Sequence, residues 1–216
     1  MNASSPGQIV VLNGPPRSGK SSIAAAIQAT FDGVWMNLGV DNFMDGTPAR
    51  FMPGIGLRPG GERPDLEPLV AQLYAALYES IAAHSRLGVN VVVDICHHDS
   101  YSQPRGILRN CALRLDGLPA WLVGVHCPIQ FIMERRIASG WNRDYVPGAP
   151  IPVEVERWQR EVHRPGIYDL ELDTSQMTPE EGAGTIGALI ASGIGPAAFS
   201  RLAAGEDFAQ AGGDSS

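Results

Sequence analysis

Short runs of apolar residues alternate along the chain with longer stretches in which apolar residues recur every three or four positions. The runs predict strands at residues 8–13, 34–38, 89–94 and 120–127, and alternating apolar and polar residues predict a short fifth strand at residues 168–173. The longer stretches predict helices at residues 20–31, 66–87, 101–115, 128–139, 153–163 and 179–191. Because strands and helices alternate, the sequence predicts an α/β fold with a five-stranded, mostly parallel sheet flanked by helices.

No change of composition marks a linker before residue 192, which predicts a single domain over residues 1–192. Two segments rich in proline and glycine, 47–64 and 140–152, are typical of functional loops. Residues 193–216 are mostly small or acidic, and we expect a C-terminal tail that is partly flexible, at least beyond Gly205.

Composition excludes several classes of protein. Of the 216 residues, 44% are apolar and 18% are charged, which indicates a folded chain rather than a disordered one. Apolar stretches are shorter than the roughly 20 residues of a membrane span, and no signal peptide is visible. The net charge of −7 argues against nucleic acids and anionic membranes as partners. The three cysteines suit a reducing compartment, so we expect a cytoplasmic protein whose oligomeric state is left open.

The basic residues are almost all arginine. Of the 16, only Lys20 is a lysine, which indicates that this position needs an ammonium group on a flexible stem. It lies in a segment that matches the phosphate-binding pattern G-x-x-x-x-G-K-S between a strand and a helix. The segment is Gly14-Pro15-Pro16-Arg17-Ser18-Gly19-Lys20-Ser21, followed by Ser22.

This segment, called the phosphate loop below, predicts a nucleoside triphosphate site. The glycines let successive N–H groups point at phosphate oxygens, and the following helix adds its partial positive charge. Lys20 is expected to reach the β- and γ-phosphates, and the Ser21 hydroxyl is expected to hold Mg²⁺. The sequence favours ATP and leaves GTP open.

Three aspartates lie at or after the ends of predicted strands. Asp94 closes the run 89–94 and is a candidate second residue of the Mg²⁺ site, the alternative being a cap of the next turn. Asp41 and Asp45 follow the second strand with a spacing that puts both on one face of a helical turn. Asp41 is closer to the carboxyl edge of the sheet and is favoured as the base that activates an attacking hydroxyl.

These residues resemble the chloramphenicol phosphotransferase family, which are P-loop kinases that modify an antibiotic. The resemblance spans about residues 8–174 and rests on IVVLNGPPRSGKSSI, LGVDNFMD, VVVD, VGVHCPIQFIMERR and VHRPGIYDLELDTS. It implies that Asp41 is the general base for the antibiotic hydroxyl. It also implies a mobile lid at about residues 135–152 whose arginines clamp phosphates, namely Arg135, Arg136 and Arg143. The alternative is that these are solvated arginines at a helix end.

Two segments depart from the family pattern. Asp94 is followed by Ile95-Cys96-His97-His98-Asp99. We expect a substrate-facing loop or a surface turn here rather than a metal site, because four consecutive residues cannot converge on one tetrahedral ion. Residues 51–58 match nothing in the pattern. The expected function is ATP-dependent phosphorylation of a small-molecule hydroxyl, on chloramphenicol or on a metabolite such as a nucleoside antibiotic, which inactivates the drug. Alternatives are a shikimate or gluconate type of kinase, a toxin-like kinase of nucleotide sugars, and a regulatory P-loop NTPase.

Overall fold

The computed structural model describes residues 5–51, 63–141, 145–146 and 148–206. Within these ranges the chain forms one parallel sheet with the strand order β2-β3-β1-β4-β5. Its strands are β1 (Ile9–Asn13), β2 (Trp35–Asn37), β3 (Asn90–Ile95), β4 (Ala120–His126) and β5 (Leu170–Asp173). The sequence predicted each of these strands, and the expected fold class is confirmed.

The centre of the sheet is apolar on both faces. All five residues of β1 are buried, because the strand lies between β3 and β4 and is covered by helices on each side. In its register, Asn13 lies between Ile95 of β3 and Gly124 of β4. The carboxyl ends of these three strands therefore meet at one edge, directly below the phosphate loop.

Helices cover both faces of the sheet. They are α1 (Lys20–Thr30), α2 (Val40–Met44), α3 (Glu67–Arg86), α4 (Ile107–Arg114), α5 (Ile129–Ala138), α6 (Val153–Glu161), α7 (Pro179–Ala191) and α8 (Ala198–Ala204). Helices α3, α4 and α8 contribute to the core on one face, while α1 and α7 contribute to the core on the other. None of the helices described has the length and apolarity that a membrane crossing requires.

The structure corrects the start of α4. The sequence predicts a helix from residue 101, whereas α4 begins at Ile107. Pro104 lacks a backbone N–H, and Gly106 has a φ of 59°, a left-handed conformation outside helical geometry. Residues 101–106 therefore form an irregular segment that leads into the helix.

The structure also corrects the first part of the predicted tail. Residues 198–204 form α8, which buries Phe199 and Leu202 against the same core as α3 and α4. Asp169 Oδ1 accepts the N–H groups of Ala197 and Ala198 at 2.7 and 2.9 Å, which fixes the start of the helix. The folded domain therefore extends through Ala204 rather than ending near residue 192.

Candidate active site

The phosphate loop starts where β1 ends. A Cβ atom on Gly14 would lie 2.3 Å from the carbonyl oxygen of Val125, so the close approach of β4 requires glycine here. Further along the loop, Arg17 and Gly19 have φ angles of 70° and 98°, in the left-handed region. Such turns direct backbone N–H groups inward, as the phosphate-binding interpretation expects.

Lys20 turns back over this loop. Its Nζ donates to the carbonyl oxygens of Gly14 at 2.8 Å and Pro15 at 2.9 Å, and the side chain is buried. Burial lowers the pKa of Lys20, while the negative charges of Asp94 and Asp41 act in the opposite direction. The ammonium group is thus held at the point where the predicted phosphates and carboxylates meet.

Ser21 and Asp94 form a pair of hard oxygen donors. The Ser21 hydroxyl donates to Asp94 Oδ2 at 2.6 Å, although the two residues belong to α1 and β3. A hydroxyl and a carboxylate at this separation match the ligands that Mg²⁺ prefers beside phosphates. The structure thus brings together the two residues that the sequence assigned to a metal site.

Asp41 lies in the first turn of α2 and lines a cavity of about 90 Å³. The lining of this cavity, called the acceptor cavity below, is Pro16, Lys20, Val40, Asp41, Tyr74, Asp94, Ile95 and Cys96. Partial burial and the charge of Asp94 raise the pKa of Asp41, and Lys20 opposes them. A raised pKa suits a group that takes up a proton during catalysis. Both aspartates are exposed, and Asp45, the weaker candidate, is not among the lining residues.

Arg135 closes the other side of the phosphate loop. Its guanidinium donates to Thr174 O at 2.8 Å, Thr174 Oγ1 at 3.1 Å and Arg17 O at 3.2 Å. It lines a cavity of about 460 Å³ that is large enough for a nucleotide. The lining of this nucleotide cavity is Pro16, Arg17, Gly19, Lys20, Ser21, Ser22, Ile23, Arg135, Trp141, Thr174, Met177 and Pro179.

Arg136 has a different environment from its neighbour. It is buried, with its guanidinium carbon 5.2 Å from the ring centre of Trp141 and 5.8 Å from that of Trp158. It is not among the residues that line the nucleotide cavity. Arg143, the third arginine assigned to the lid, lies outside the described residues.

The segment after β3 differs from the sequence-based expectation. His97 and His98 are buried rather than exposed on a surface turn, while Cys96 lines the acceptor cavity. His97 Nε2 lies 2.8 Å from the Tyr78 hydroxyl, and its ring packs on Tyr74 at 4.6 Å. The prediction of a surface turn is therefore wrong for the two histidines.

Other lining residues were missed by the sequence reasoning. Trp141, Thr174 and Met177 line the nucleotide cavity, and Tyr74 lines the acceptor cavity. Thr174 directly follows β5, where strand-end residues face ligands, so its position was a signal. Tyr74 lies within the apolar stripe of α3, where nothing distinguishes a cavity wall from the core.

Comparison with known proteins identifies the family of the chain. Residues 7–190 match the family model described as chloramphenicol phosphotransferase-like protein. The chain belongs to this family. A curated relative from Mycobacterium tuberculosis (strain ATCC 25618 / H37Rv), named "Putative O-phosphotransferase Rv2636", is 26% identical over 91% of this chain and 88% of its own length.

Two solved structures illustrate the fold. The APS kinase CysC of Mycobacterium tuberculosis, in complex with AMPPNP and APS, is similar with a TM-score of 0.62 and 19% identity, over 87% of this chain and 99% of the other. The tunicamycin resistance protein of Deinococcus radiodurans has a TM-score of 0.57 and 16% identity, over 85% and 95%. The protein thus has the fold of a P-loop kinase, and its family is one of phosphotransferases that act on hydroxyl groups.

Proposed function

We propose that the protein transfers the γ-phosphoryl group of ATP to a hydroxyl group of an antibiotic or a similar secondary metabolite. The observation that carries this proposal is that Pro16 and Lys20 line both cavities. The larger cavity has the size and loop of a nucleotide site, and the smaller one contains Asp41. A phosphoryl group near Lys20 would thus lie between a nucleotide and an acceptor hydroxyl.

The residues divide the work as follows. The phosphate loop and Lys20 bind the phosphates, and Ser21 and Asp94 have the donor chemistry to hold Mg²⁺, which supplies charge neutralisation when bound. Asp41 accepts the proton of the acceptor hydroxyl as its oxygen bonds to phosphorus and ADP leaves. Arg135 beside the phosphate loop neutralises charge on the phosphates, and we assign the same role to Arg143. Arg136, the third arginine assigned to the lid, is buried against Trp141 and Trp158.

The lining of the acceptor cavity favours an uncharged acceptor. Val40, Tyr74 and Ile95 give it an apolar wall, and Lys20 is the sole cation among its described lining residues. At about 90 Å³ the cavity is smaller than an antibiotic molecule, so it would hold the end that bears the reactive hydroxyl. An anionic metabolite would face Asp41 and Asp94 there and would be repelled. We further propose that the reaction inactivates the drug and takes place in the cytoplasm.

The test is acceptor-dependent ADP release by purified protein with Mg-ATP. Chloramphenicol and a nucleoside antibiotic represent the favoured class, and shikimate, gluconate and a nucleotide sugar represent the alternatives. We expect turnover with an uncharged antibiotic. Turnover with an anionic metabolite alone would identify a metabolic kinase, and ATP hydrolysis that no acceptor increases would contradict the transferase function.

Asp41→Asn then tests the mechanism. Loss of a general base lowers kcat by about 10²- to 10⁴-fold, with the KM for ATP changed by less than about threefold. Asp45→Asn is the matched control, since this exposed carboxylate lies one turn further along and outside the cavity lining. If Asp45→Asn abolished turnover and Asp41→Asn did not, the roles of the two aspartates would be reversed.

A further inference from the structure

Asn13 joins three distant parts of the chain at the end of β1. Its side chain is 1% exposed. The amide nitrogen Nδ2 donates to the carbonyl oxygen of Val162 at 2.9 Å and to the Tyr168 hydroxyl at 3.0 Å. The amide oxygen Oδ1 accepts the backbone N–H of His97 at 2.8 Å. All these bonds are buried or partly buried and link residues far apart in sequence.

The directions of these hydrogen bonds are fixed by chemistry. A backbone N–H can only donate, so the atom of Asn13 facing His97 must be the amide oxygen. The Tyr168 oxygen therefore accepts from Asn13, and its own proton is free to be donated. The Tyr168 oxygen lies 2.9 Å from His163 Nδ1. Burial lowers the pKa of His163 to about 4, so the ring is neutral, and it accepts the tyrosine proton in the tautomer that carries its own proton on Nε2.

A glycine in β4 gives Tyr168 access to Asn13. Gly124 pairs with Asn13 in the sheet register, and a Cβ atom on Gly124 would lie 2.8 Å from the Tyr168 ring. The ring thus packs directly on the backbone of β4 and carries its hydroxyl across to β1. A small residue in an otherwise apolar strand is explained by this contact.

The chain neighbour of Asn13 and two of its hydrogen-bond partners adjoin different parts of the candidate active site. Gly14, the next residue, supplies a carbonyl oxygen that holds Lys20. His97 directly follows Cys96 in the acceptor cavity, and its ring packs on Tyr74 of the same cavity. Val162 follows α6, which packs against α5, the helix that carries Arg135. One side chain therefore holds the phosphate loop, the acceptor wall and the base of the predicted lid together.

We propose that Asn13 is a positioning residue that sets the distance between the phosphate loop and the acceptor cavity, with Tyr168 and His163 fixing its orientation. This inference rests on the proposed function and adds a role for residues that touch neither substrate. Errors of about 1 Å in the relative position of reacting groups can cost about 100-fold in rate. Loss of the Asn13 amide therefore lowers kcat more than it lowers nucleotide affinity.

The experiment compares Asn13→Ala, Tyr168→Phe and a matched control. Ser85→Ala removes another buried long-range hydrogen bond, from Ser85 Oγ to Gly7 O at 2.6 Å, just before the start of β1 and away from its carboxyl end. We expect Asn13→Ala to lower kcat by about 10- to 100-fold with the KM for ATP within about threefold. Tyr168→Phe should lower kcat by a smaller factor, and the double variant should lose less than the product of both factors.

Ser85→Ala separates positioning from stability. Ser85→Ala loses one buried hydrogen bond and Asn13→Ala loses three, so both should lower the Tm, Asn13→Ala by more. The kcat of Ser85→Ala should stay within about twofold of wild type. Equal losses of kcat in the two variants, measured where both are folded, would overturn the proposal. Unchanged kcat in both Asn13→Ala and Tyr168→Phe would also overturn it. If Asn13→Ala does not fold, the comparison of kcat between Tyr168→Phe and Ser85→Ala tests the proposal instead.

The single lysine of the chain provides a readout that needs no acceptor. Selective ¹⁵N-lysine labelling gives one backbone amide signal, that of Lys20 in the phosphate loop. Asn13→Ala should shift this signal, and Ser85→Ala should leave it in place. If the wild-type protein phosphorylates no acceptor, the proposed function fails. The Lys20 signal still tests whether Asn13 positions the phosphate loop. An unshifted signal in Asn13→Ala would then reject the positioning role.

Discussion

Gly39 separates the two carboxylates of the candidate site. It precedes α2, which carries Asp41, and a Cβ atom here would lie 1.9 Å from Asp94 Oδ1. Its N–H donates to Asn37 Oδ1 at 2.9 Å, which holds the turn against the end of β2. The φ of −52° is open to any residue, so the need for glycine here comes from space and not from backbone conformation.

Gly39→Ala should therefore displace the Asp94 carboxylate while leaving the backbone intact. We expect the hydrogen bond with Ser21 to be lost and the Mg²⁺ concentration for half-maximal activity to rise by about tenfold or more, as for other residues that orient metal ligands. The measurement is kcat as a function of Mg²⁺ at saturating ATP.

Gly184→Ala is the matched control for this substitution. Gly184 lies in α7, and among the described residues no atom outside its own stretch of helix lies within 4 Å of the position of its added Cβ. Alanine in a helix interior is about 0.5–1 kcal/mol more favourable than glycine, so this variant should be slightly more stable with unchanged Mg²⁺ dependence. If Gly39→Ala kept the Mg²⁺ dependence of the wild-type protein, Asp94 would have room to move without an effect on Mg²⁺ binding.

At the scale of elements, the last turn of α5 places two consecutive arginines in different surroundings. Residues one apart on a helix point in directions about 100° apart, as its 3.6 residues per turn require. Arg135 is directed to the phosphate loop, and Arg136 lies between α5 and α6 beside Trp141 and Trp158. Arg135 is thus expected to act on the nucleotide, and Arg136 to stabilise the packing around the two tryptophans.

Substitution of each arginine by methionine should separate these purposes. Arg135→Met removes the guanidinium from the nucleotide cavity, and we expect kcat to fall by about 10²-fold or more, as for the loss of other charge-stabilising groups. Arg136→Met removes a buried guanidinium that stacks on tryptophan, a contact worth about 1–2 kcal/mol, so its larger effect should be on the Tm. A larger Tm loss in Arg135→Met than in Arg136→Met would contradict this division.

The same scale explains which parts of the structure the sequence could predict. Apolar runs identified the central strands β3, β1 and β4, because a buried parallel strand needs apolar residues on both faces, and alternation identified the edge strand β5. The phosphate loop and the Asp94–Ser21 pair were predictable, since strand ends converge on one edge. Helix α8 was not, because it is stabilised by Asp169, 29 residues earlier in the chain. The environments of His97 and Tyr74 likewise depend on contacts between distant segments.

At the scale of the whole molecule, folding buries two histidines that water would leave free to titrate. His97 is enclosed by Tyr74 and Tyr78 of α3 and by Asn13 of β1. Burial, and secondarily His98, lowers the pKa of His97 to about 3, and burial with His126 and Lys20 lowers that of His163 to about 4. Both rings are neutral in the folded protein at pH values where the unfolded chain binds protons.

The free energy of unfolding should therefore depend on pH with a definite sign. With an unfolded pKa of 6.5, each histidine contributes stability that is complete above pH 6.5 and is lost as the pH falls toward the folded pKa. Urea denaturation between pH 6 and pH 4.5 should show a loss of about 1.4 kcal/mol per pH unit for each histidine. His97→Gln should remove about half of this slope, although it also lowers the stability at pH 7.

Two carboxylates also affect how the free energy of unfolding depends on pH. Hydrogen bonds from Ser102 and Arg105 outweigh burial and lower the pKa of Glu67 from 4.5, so its acid-induced loss begins only below about pH 4.5. The pKa of Asp41 is raised, so this group favours the folded state as the pH falls, and Asp41→Asn should leave the loss in place or steepen it. If the slope of the unfolding free energy against pH above about pH 4.5 is equal in wild type and His97→Gln, then His97 is protonated without opening of the core. The enclosure of His97 by two tyrosines and a strand opposes this outcome.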